Sequence, residues 1–465
     1  MRFINRKSEL KLLNDEYNKK NSTFNVIYGK KRTGKTTLIK EFIKDKNSFY
    51  FFADTQNEVI QIRRFKSQLA DKFNNSFLKN IEINSWEVIF DYLISKLDKN
   101  ERFVFVIDEF QYLTKSNKDF TSIFQRIFDT KLKDKNIMII LCGSLISMMY
   151  SQVLSYNSPL YGRRTSQINL KQISFKYYKE FFNDMSTEKL IELYAVTGGI
   201  PKYIEMIDEN IDLFENISNE FLDKNKFLYS EPRFLLQENV NEISTYFSIL
   251  EVIAEGNHKL SNITSRLGLN SSSITQFLKK LIDLDLIEKI VPITEKIPNK
   301  SRKSLYFIKD NYLNFWFKYI FPYQSYLEVE SKEFVLDKLK SSFNLYVSFV
   351  FEEISKEVIM EYFSKNNNLF IVQKIGKYWN KNTEIDLVAL GKRDILYGEC
   401  KWTKKHIGLS VLNDLKLKSK SIITDKSIKN EYFALFSKSG FSDDLIKLSK
   451  KDKSILLFNL DSFNF

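Results

Sequence analysis

An α/β fold built on a parallel sheet is predicted from three stretches of the chain. In NVIYGKKRTGKTTLIKEFI (25–43), the apolar run Val26-Ile27-Tyr28 ends in Gly29, and apolar residues at helical spacing begin after Thr36. RFVFVIDEF (102–110) holds Phe103 to Ile107 without a polar interruption, the pattern of a strand covered on both faces. NIMIILCGSLISMM (136–149) repeats that pattern and ends at Gly143-Ser144.

The first stretch also carries chemistry. Gly29-x-x-x-x-Gly34-Lys35-Thr36 is a phosphate-binding loop, with the strand before it and the helix after it that the motif requires. Glycines let consecutive N–H groups and the helix N-terminus point at phosphate oxygens. The expected cofactors are therefore ATP and Mg²⁺. Lys35 is expected at the β- and γ-phosphates and the Thr36 hydroxyl on Mg²⁺. The nucleotide-contacting stretch runs through Gly29, Lys30, Lys31, Arg32, Thr33, Gly34, Lys35, Thr36 and Thr37. Lys30, Lys31 and Arg32 add positive potential at the loop tip.

The second stretch ends in Asp108-Glu109. An acid pair at the end of a buried strand is costly without a charged partner, and Mg²⁺ with a nucleophilic water supplies one. Asp108 is the candidate for an outer contact to Mg²⁺, and Glu109 for polarising the attacking water. The third stretch should lie beside this strand and bring Ser144 toward the γ-phosphate. Arg163 and Arg164, in SPLYGRRTSQINL, carry fixed guanidinium groups suited to the charge that develops in phosphoryl transfer.

Length and composition bound the rest. A chain of 465 residues is expected to form three or four domains, and 43% apolar residues is ordinary for globular cores. No apolar run reaches the ~18 residues of a membrane span, and the N-terminus does not read as a signal peptide, so a cytoplasmic protein is expected. Two cysteines, Cys142 and Cys400, and two histidines, His258 and His406, argue against a disulfide framework or a histidine-based metal site. The net charge of +13 favours polyanionic partners, DNA above all, although a general surplus of lysine over arginine weakens that argument.

With these motifs in order, followed by TGGIPKYI (197–204), the chain resembles the archaeal-type ATPases, a branch of the AAA+/STAND-like P-loop proteins. The resemblance implies a helical lid after the core and a polar sensor at Ser144. It also implies a segment matching Phe3 to Leu10, with Arg6, that helps hold the adenine. Arg163 or Arg164 would act as an arginine finger, in the same chain or in a neighbouring copy of a homo-oligomer.

Residues 243–308 read as three helices followed by a polar hairpin, PITEKIPNKSRKS (292–304), and a strand: the winged-helix arrangement. The serines at 271–273 are expected to cap the third helix. In a DNA-binding version Ser271, Ser272, Thr275 and Gln276 meet the major groove, and Lys296, Lys300, Arg302 and Lys303 meet the backbone. The aromatic-rich FIKDNYLNFWFKYIFP (307–322) is spaced as a buried helix, with Pro322 closing the domain.

NKNTEIDLVALGKRDILYGECKW (380–402) reads as two strands joined by a Gly-Lys turn. Alternation puts Glu399 and Lys401 on one face and Cys400 on the other. Asp386, Glu399 and Lys401 resemble the catalytic set of the PD-(D/E)xK nucleases, in which the acids hold metal and the lysine positions the nucleophile. The preceding helix offers Glu352, with Glu353 as alternate, as a further metal ligand. From Lys401 to Lys453 thirteen lysines face six acids, a composition suited to tracking phosphates.

The expected organisation is a P-loop ATPase domain over 1–165, a helical lid over 166–240, a winged helix over 241–322 and a restriction-endonuclease-like domain over 323–465. The expected function is an ATP-driven switch or motor acting on DNA. Two alternatives remain: a regulatory ATPase that senses a protein signal in defence or mobile-element biology, with an inactive nuclease-like binding domain, and a chaperone-like adaptor.

Overall fold

The structure, a computed structural model, describes residues 3–237, 240, 242–365, 371–422 and 428–464. The chain divides into two compact units, Met1–Gln172 and Ile173–Phe465.

The first unit is built on a five-stranded sheet, β1 (Thr23–Tyr28), β2 (Ser48–Phe52), β3 (Phe103–Asp108), β4 (Ile137–Gly143) and β5 (Ser166–Asn169), in the order β2-β3-β4-β1-β5. Every neighbouring pair is parallel. β3 and β4 are buried along their whole length, as uninterrupted apolar runs require when helices cover both faces. Two apolar layers result, one around Phe65, Phe90 and Phe105 and the other around Leu38, Ile39 and Val106. Helix α1 (Lys7–Tyr17) precedes the sheet, and α2 (Lys35–Ile43) follows β1. The expected break at 165 falls before β5. That strand pairs with β1 and carries the unit on to Gln172.

The second unit begins with helices. Its aromatic-rich helix, Asn311–Tyr319, is core rather than surface: Tyr312, Phe315, Trp316 and Phe317 are all inaccessible to solvent. The polar tips of the large rings are satisfied, Tyr312 OH donating to Leu228 O at 2.7 Å and Trp316 Nε1 to Tyr229 O at 2.8 Å. Three helices, Ile243–Ala254, Leu260–Leu267 and Ser271–Asp283, lead into an antiparallel hairpin of β6 (Ile287–Ile290) and β7 (Leu305–Ile308). The third of these helices is capped by the Asn270 side chain, which accepts from Ser273 N, and not by the serines, which lie inside its first turn. The chain does not part at Pro322. Tyr319 OH meets Ser342 Oγ at 2.9 Å on the long helix Lys332–Lys365, whose Tyr346 OH donates to Ala195 O at 2.8 Å.

That long helix leads to a second five-stranded sheet, β8 (Lys374–Trp379), β9 (Glu384–Leu390), β10 (Asp394–Lys401), β11 (Asn430–Ser437) and β12 (Ile455–Phe458), ordered β12-β11-β10-β9-β8. β8, β9 and β10 are antiparallel neighbours, whereas β10, β11 and β12 run parallel. The switch occurs where the helix Leu409–Ser419 supplies the crossover that parallel neighbours need. Among the described residues, no helix is long and apolar enough to cross a membrane. Asp425 and Lys426 of the lysine-rich stretch lie outside the described residues.

Candidate functional site

Two glycines shape the loop between β1 and α2. Gly29 has φ 155° and Gly34 has φ 91°, conformations that side chains rarely adopt, and a Cβ on Gly29 would stand 2.3 Å from the Leu170 carbonyl oxygen. Thr33 Oγ1 donates to Lys30 O at 2.9 Å. Lys35 Nζ folds back over the loop, donating to Gly29 O at 3.0 Å and Lys30 O at 2.7 Å. Burial pulls the Lys35 ammonium below its ordinary value, opposed by Cys142, Glu109 and Asp108 nearby. Lys30, Lys31 and Arg32 are half-buried along the loop rather than projecting from it, and Arg32 takes φ 65°.

Asp108 closes β3 and is fully buried. Its Oδ2 accepts from Thr36 Oγ1 at 2.8 Å and from Tyr50 OH at 2.6 Å, and its Oδ1 from Glu109 N at 2.9 Å. Burial, and then the adjacent carboxylate, push the Tyr50 phenol well above its ordinary value, so it acts as a fixed donor. Glu109 sits at φ 55°, which swings its carboxylate toward β4. There Oε2 accepts from Ser144 Oγ at 2.7 Å, from Ser144 N at 3.2 Å and from Gln111 Nε2. Gln111 Oε1 is buried without a protein hydrogen-bond partner, in a space kept open by Gly143, whose added Cβ would lie 2.4 Å away. The structure thus brings Lys35, Thr36, Asp108, Glu109 and Ser144 together, and the donor set fits the phosphates and magnesium of a nucleotide.

Four expectations meet a different geometry. Arg6 does not stand as an open adenine clamp: at φ 68° and 6% exposed, it donates through Nη2 to Thr33 O at 3.1 Å and Lys171 O at 2.6 Å, bracing the loop from behind. Ser144 turns to Glu109 rather than outward. Arg163 and Arg164 are not brought to the loop. They precede β5, and Thr165 N bonds Phe24 O at 2.7 Å beside the start of β1, whereas the loop follows the end of β1. A strand of that length separates them by about 20 Å. Arg163 instead grips Asp129 through Nε at 2.8 Å, and Arg164 Nη1 donates to Leu154 O at 3.3 Å.

Tyr50 and Gln111 are the residues that sequence reasoning misses. Tyr50 lies between buried Phe49 and Phe51, so alternation alone directs it to the opposite face; nothing local points to Asp108.

The second constellation lies in the second unit. Asp386 Oδ2 accepts from Cys400 N at 2.9 Å, which fixes the acid against β10. Glu399, 4% exposed, accepts from Lys401 Nζ at 2.7 Å and from Lys418 Nζ at 3.2 Å on both oxygens. Glu352 pairs with Lys377 of β8, both nearly buried. Burial first, and then Glu399, push Asp386 up to about 6; burial pushes Glu352 up to about 7 against the pull of Lys377. Glu353 is exposed and paired with Lys356. Among the described residues no group of three or more His, Cys, Asp or Glu side chains is arranged to hold a metal ion. Glu352, Asp386 and Glu399 stand near one another but are not arranged as the expected metal set: Lys377 engages Glu352, Lys401 and Lys418 engage Glu399, and Asp386 is turned to Cys400 N. Lys377 and Lys418 were not readable as members of this cluster, because the residues they meet lie 25 and 19 positions away.

Residues 3–207 match the family model of an ATPase domain found predominantly in Archaea, and residues 316–417 match a family of archaeal and bacterial proteins of unknown function. An uncharacterized protein of Methanocaldococcus jannaschii, MJECL04, is 37% identical over 466 residues, covering 99% of this chain and 100% of that protein. An uncharacterized ATP-binding protein of the same organism, MJ0423, is 43% identical over 44 residues, 10% of this chain and 75% of its own length. Among solved structures, the Walker-type ATPase PABY2304 of Pyrococcus abyssi is similar, with 19% identity and a TM-score of 0.48 over 68% of this chain and 96% of its own. With an end-to-end relative at that identity and the ATPase model matched through the whole first unit, the chain belongs to the archaeal ATPase family.

Proposed function

We propose that the protein is an ATP-hydrolysing switch that acts on DNA. The observation that carries the ATPase reading is the Thr36–Asp108 hydrogen bond of 2.8 Å, which ties the residue after the loop lysine to the end of β3. Lys35 would neutralise the β- and γ-phosphates, and Thr36 and Asp108 would hold Mg²⁺, which supplies charge stabilisation when bound. Glu109 would accept a proton from the attacking water once released from Ser144 and Gln111. Arg163 and Arg164, at the opposite end of the sheet from the loop, would complete only a neighbouring copy's site.

The DNA reading rests on the helix–hairpin module. Ser271, Ser272, Thr275 and Gln276 are exposed on one helix, and Lys296, Lys300, Arg302 and Lys303 on the hairpin, as a winged helix requires. The second sheet, with a helix before β8 and another between β10 and β11, supports the reading of a nuclease-like domain. Its carboxylates are matched by lysines, which favours a DNA-binding role over cleavage. Cytoplasmic location follows from this assignment. The deciding experiment measures ATP hydrolysis by the full chain with and without duplex DNA, with a cleavage assay in Mn²⁺ alongside. DNA-stimulated hydrolysis without cleavage is expected. Hydrolysis that ignores DNA but responds to a protein partner would favour the signal-sensing alternative.

A further inference from the structure

The hairpin between β6 and β7 does not stand clear of the rest of the second unit. Ile293 N–H donates to Lys377 O at 2.9 Å, which places the hairpin against the outer edge of β8. The Ile293 side chain packs over Gly376, 3.7 Å from where a Cβ would be, and joins the apolar cluster of Tyr378, Ile385 and Val388. β8 carries a register irregularity between Gly376 and Tyr378, so the strand bends where the hairpin seats. The residue that receives the hairpin, Lys377, is the one whose ammonium holds Glu352. On the stem, Glu288 of β6 is pushed up in pKa by burial and by Glu353 of the long helix, so that strand faces the helix carrying Glu352.

From this seat the hairpin projects its cations. Lys296 lies three residues beyond Ile293, within about 11 Å along the chain. Lys296, Lys300, Arg302 and Lys303 are exposed and set against Glu295, which Lys303 engages at 2.8 Å. Lys374, at the start of β8, and Lys381, in the turn that follows the strand, are both exposed. Inward of that strip, Lys377, Lys401 and Lys418 neutralise Glu352 and Glu399, so the carboxylate cluster does not repel a polyanion.

We infer that the hairpin 291–304 and the edge of β8 form one continuous surface for the DNA phosphate backbone, on which the hairpin is a fixed rim beside the Asp386–Glu399 cluster rather than a mobile wing. This rests on the DNA reading above and goes beyond it. The hairpin cations and the nuclease-like sheet act on the same segment of duplex, and the Ile293–Lys377 hydrogen bond sets their spacing.

The test uses the full chain and a fluorescein-labelled duplex of about 20 base pairs, in EDTA at several salt concentrations. The Lys296→Gln/Lys300→Gln/Arg302→Gln variant keeps Ile293 and the Lys303–Glu295 pair. Its Kd should rise at least tenfold at low salt, and the slope of log Kd against log salt should fall by about three, one per lost phosphate contact. Acetylation footprinting of the wild type should show DNA protecting Lys296, Lys300, Lys374 and Lys381 together, and in the variant protection of Lys374 and Lys381 should disappear as well. Wild-type protein that binds no duplex would sink the DNA reading and this inference with it. Binding that survives in the variant, or protection of the hairpin without β8, would overturn the shared surface alone. Should the triple variant melt early, Lys300→Gln, one exposed side chain, carries the same test with a slope change of about one.

Discussion

The two acidic clusters of this protein are stabilised by opposite means. Asp108 and Glu109 are held by neutral donors: the hydroxyls of Thr36, Tyr50 and Ser144, two backbone N–H groups and the Gln111 amide. Glu352 and Glu399 are held by ammonium groups, Lys377 on one and Lys401 with Lys418 on the other. Hydrogen bonds from neutral groups satisfy lone pairs but leave the negative charge in place, so the first cluster still attracts a cation. Ion pairs cancel the charge of Glu352 and Glu399, which weakens that demand in the second cluster, where Asp386 alone is held by a neutral donor, Cys400 N. Carboxylates in a cleft therefore do not imply a metal until their donors are known.

The sharpest consequence is at the loop. Lys35→Ala should abolish hydrolysis and weaken nucleotide binding, whereas Glu109→Gln should stop turnover and leave binding nearly intact, since only water activation is lost. Wild-type turnover by Glu109→Gln, read by phosphate release, would remove Glu109 from its assigned role.

The next effect is on stability in the second unit. Lys377→Met strands Glu352 in a nearly buried site, which should cost about 3 kcal/mol near pH 8, measured by urea denaturation. The double variant Glu352→Gln/Lys377→Met should recover most of it. A single variant as stable as wild type would show that the pair is not buried in solution.

The same cluster should give a pH dependence in EDTA. Asp386 and Glu352 rise from ordinary values of 3.8 and 4.5 to about 6 and about 7 in the folded chain. The folded state thus binds more protons than the unfolded one between about pH 4 and pH 7, and stability must fall as pH rises across that window. A loss of several kcal/mol is the expected scale, and Asp386→Asn should flatten part of it. Stability that rises through this window would contradict the burial of both acids.

The smallest effect concerns Tyr50. Removing its hydroxyl as Tyr50→Phe takes one of three donors from Asp108, a change of about 1 kcal/mol. The Mg²⁺ concentration for half-maximal hydrolysis should shift severalfold, with nucleotide binding in EDTA unchanged. An equal loss with and without metal would mean that Tyr50 serves only the packing of β2.

Much of the first unit is legible in the sequence. Gly29, Gly34, Lys35 and Thr36 are close in sequence, and their chemistry is local: a turn that needs glycine, a helix start, a strand end. The uninterrupted runs at β3 and β4 likewise announce a parallel sheet, because burial on both faces admits no polar alternation. The aromatic helix at 311–319 was readable as core for the same reason of spacing. What the local pattern could not contain was partner choice. Glu399 and Lys401 share a face by alternation, yet whether Lys401 serves a nucleophile or quenches Glu399 depends on Lys418, which a separate helix brings in. Arg163 and Arg164 had the residue type of a finger, but the parallel pairing of β5 with β1 put them at the wrong end of the sheet for their own loop. Residue type and short-range periodicity are properties of the chain, and they determined the elements and the phosphate loop. Charge compensation and the side of the sheet on which a residue stands arise only when distant segments pack, and those the tertiary structure decided.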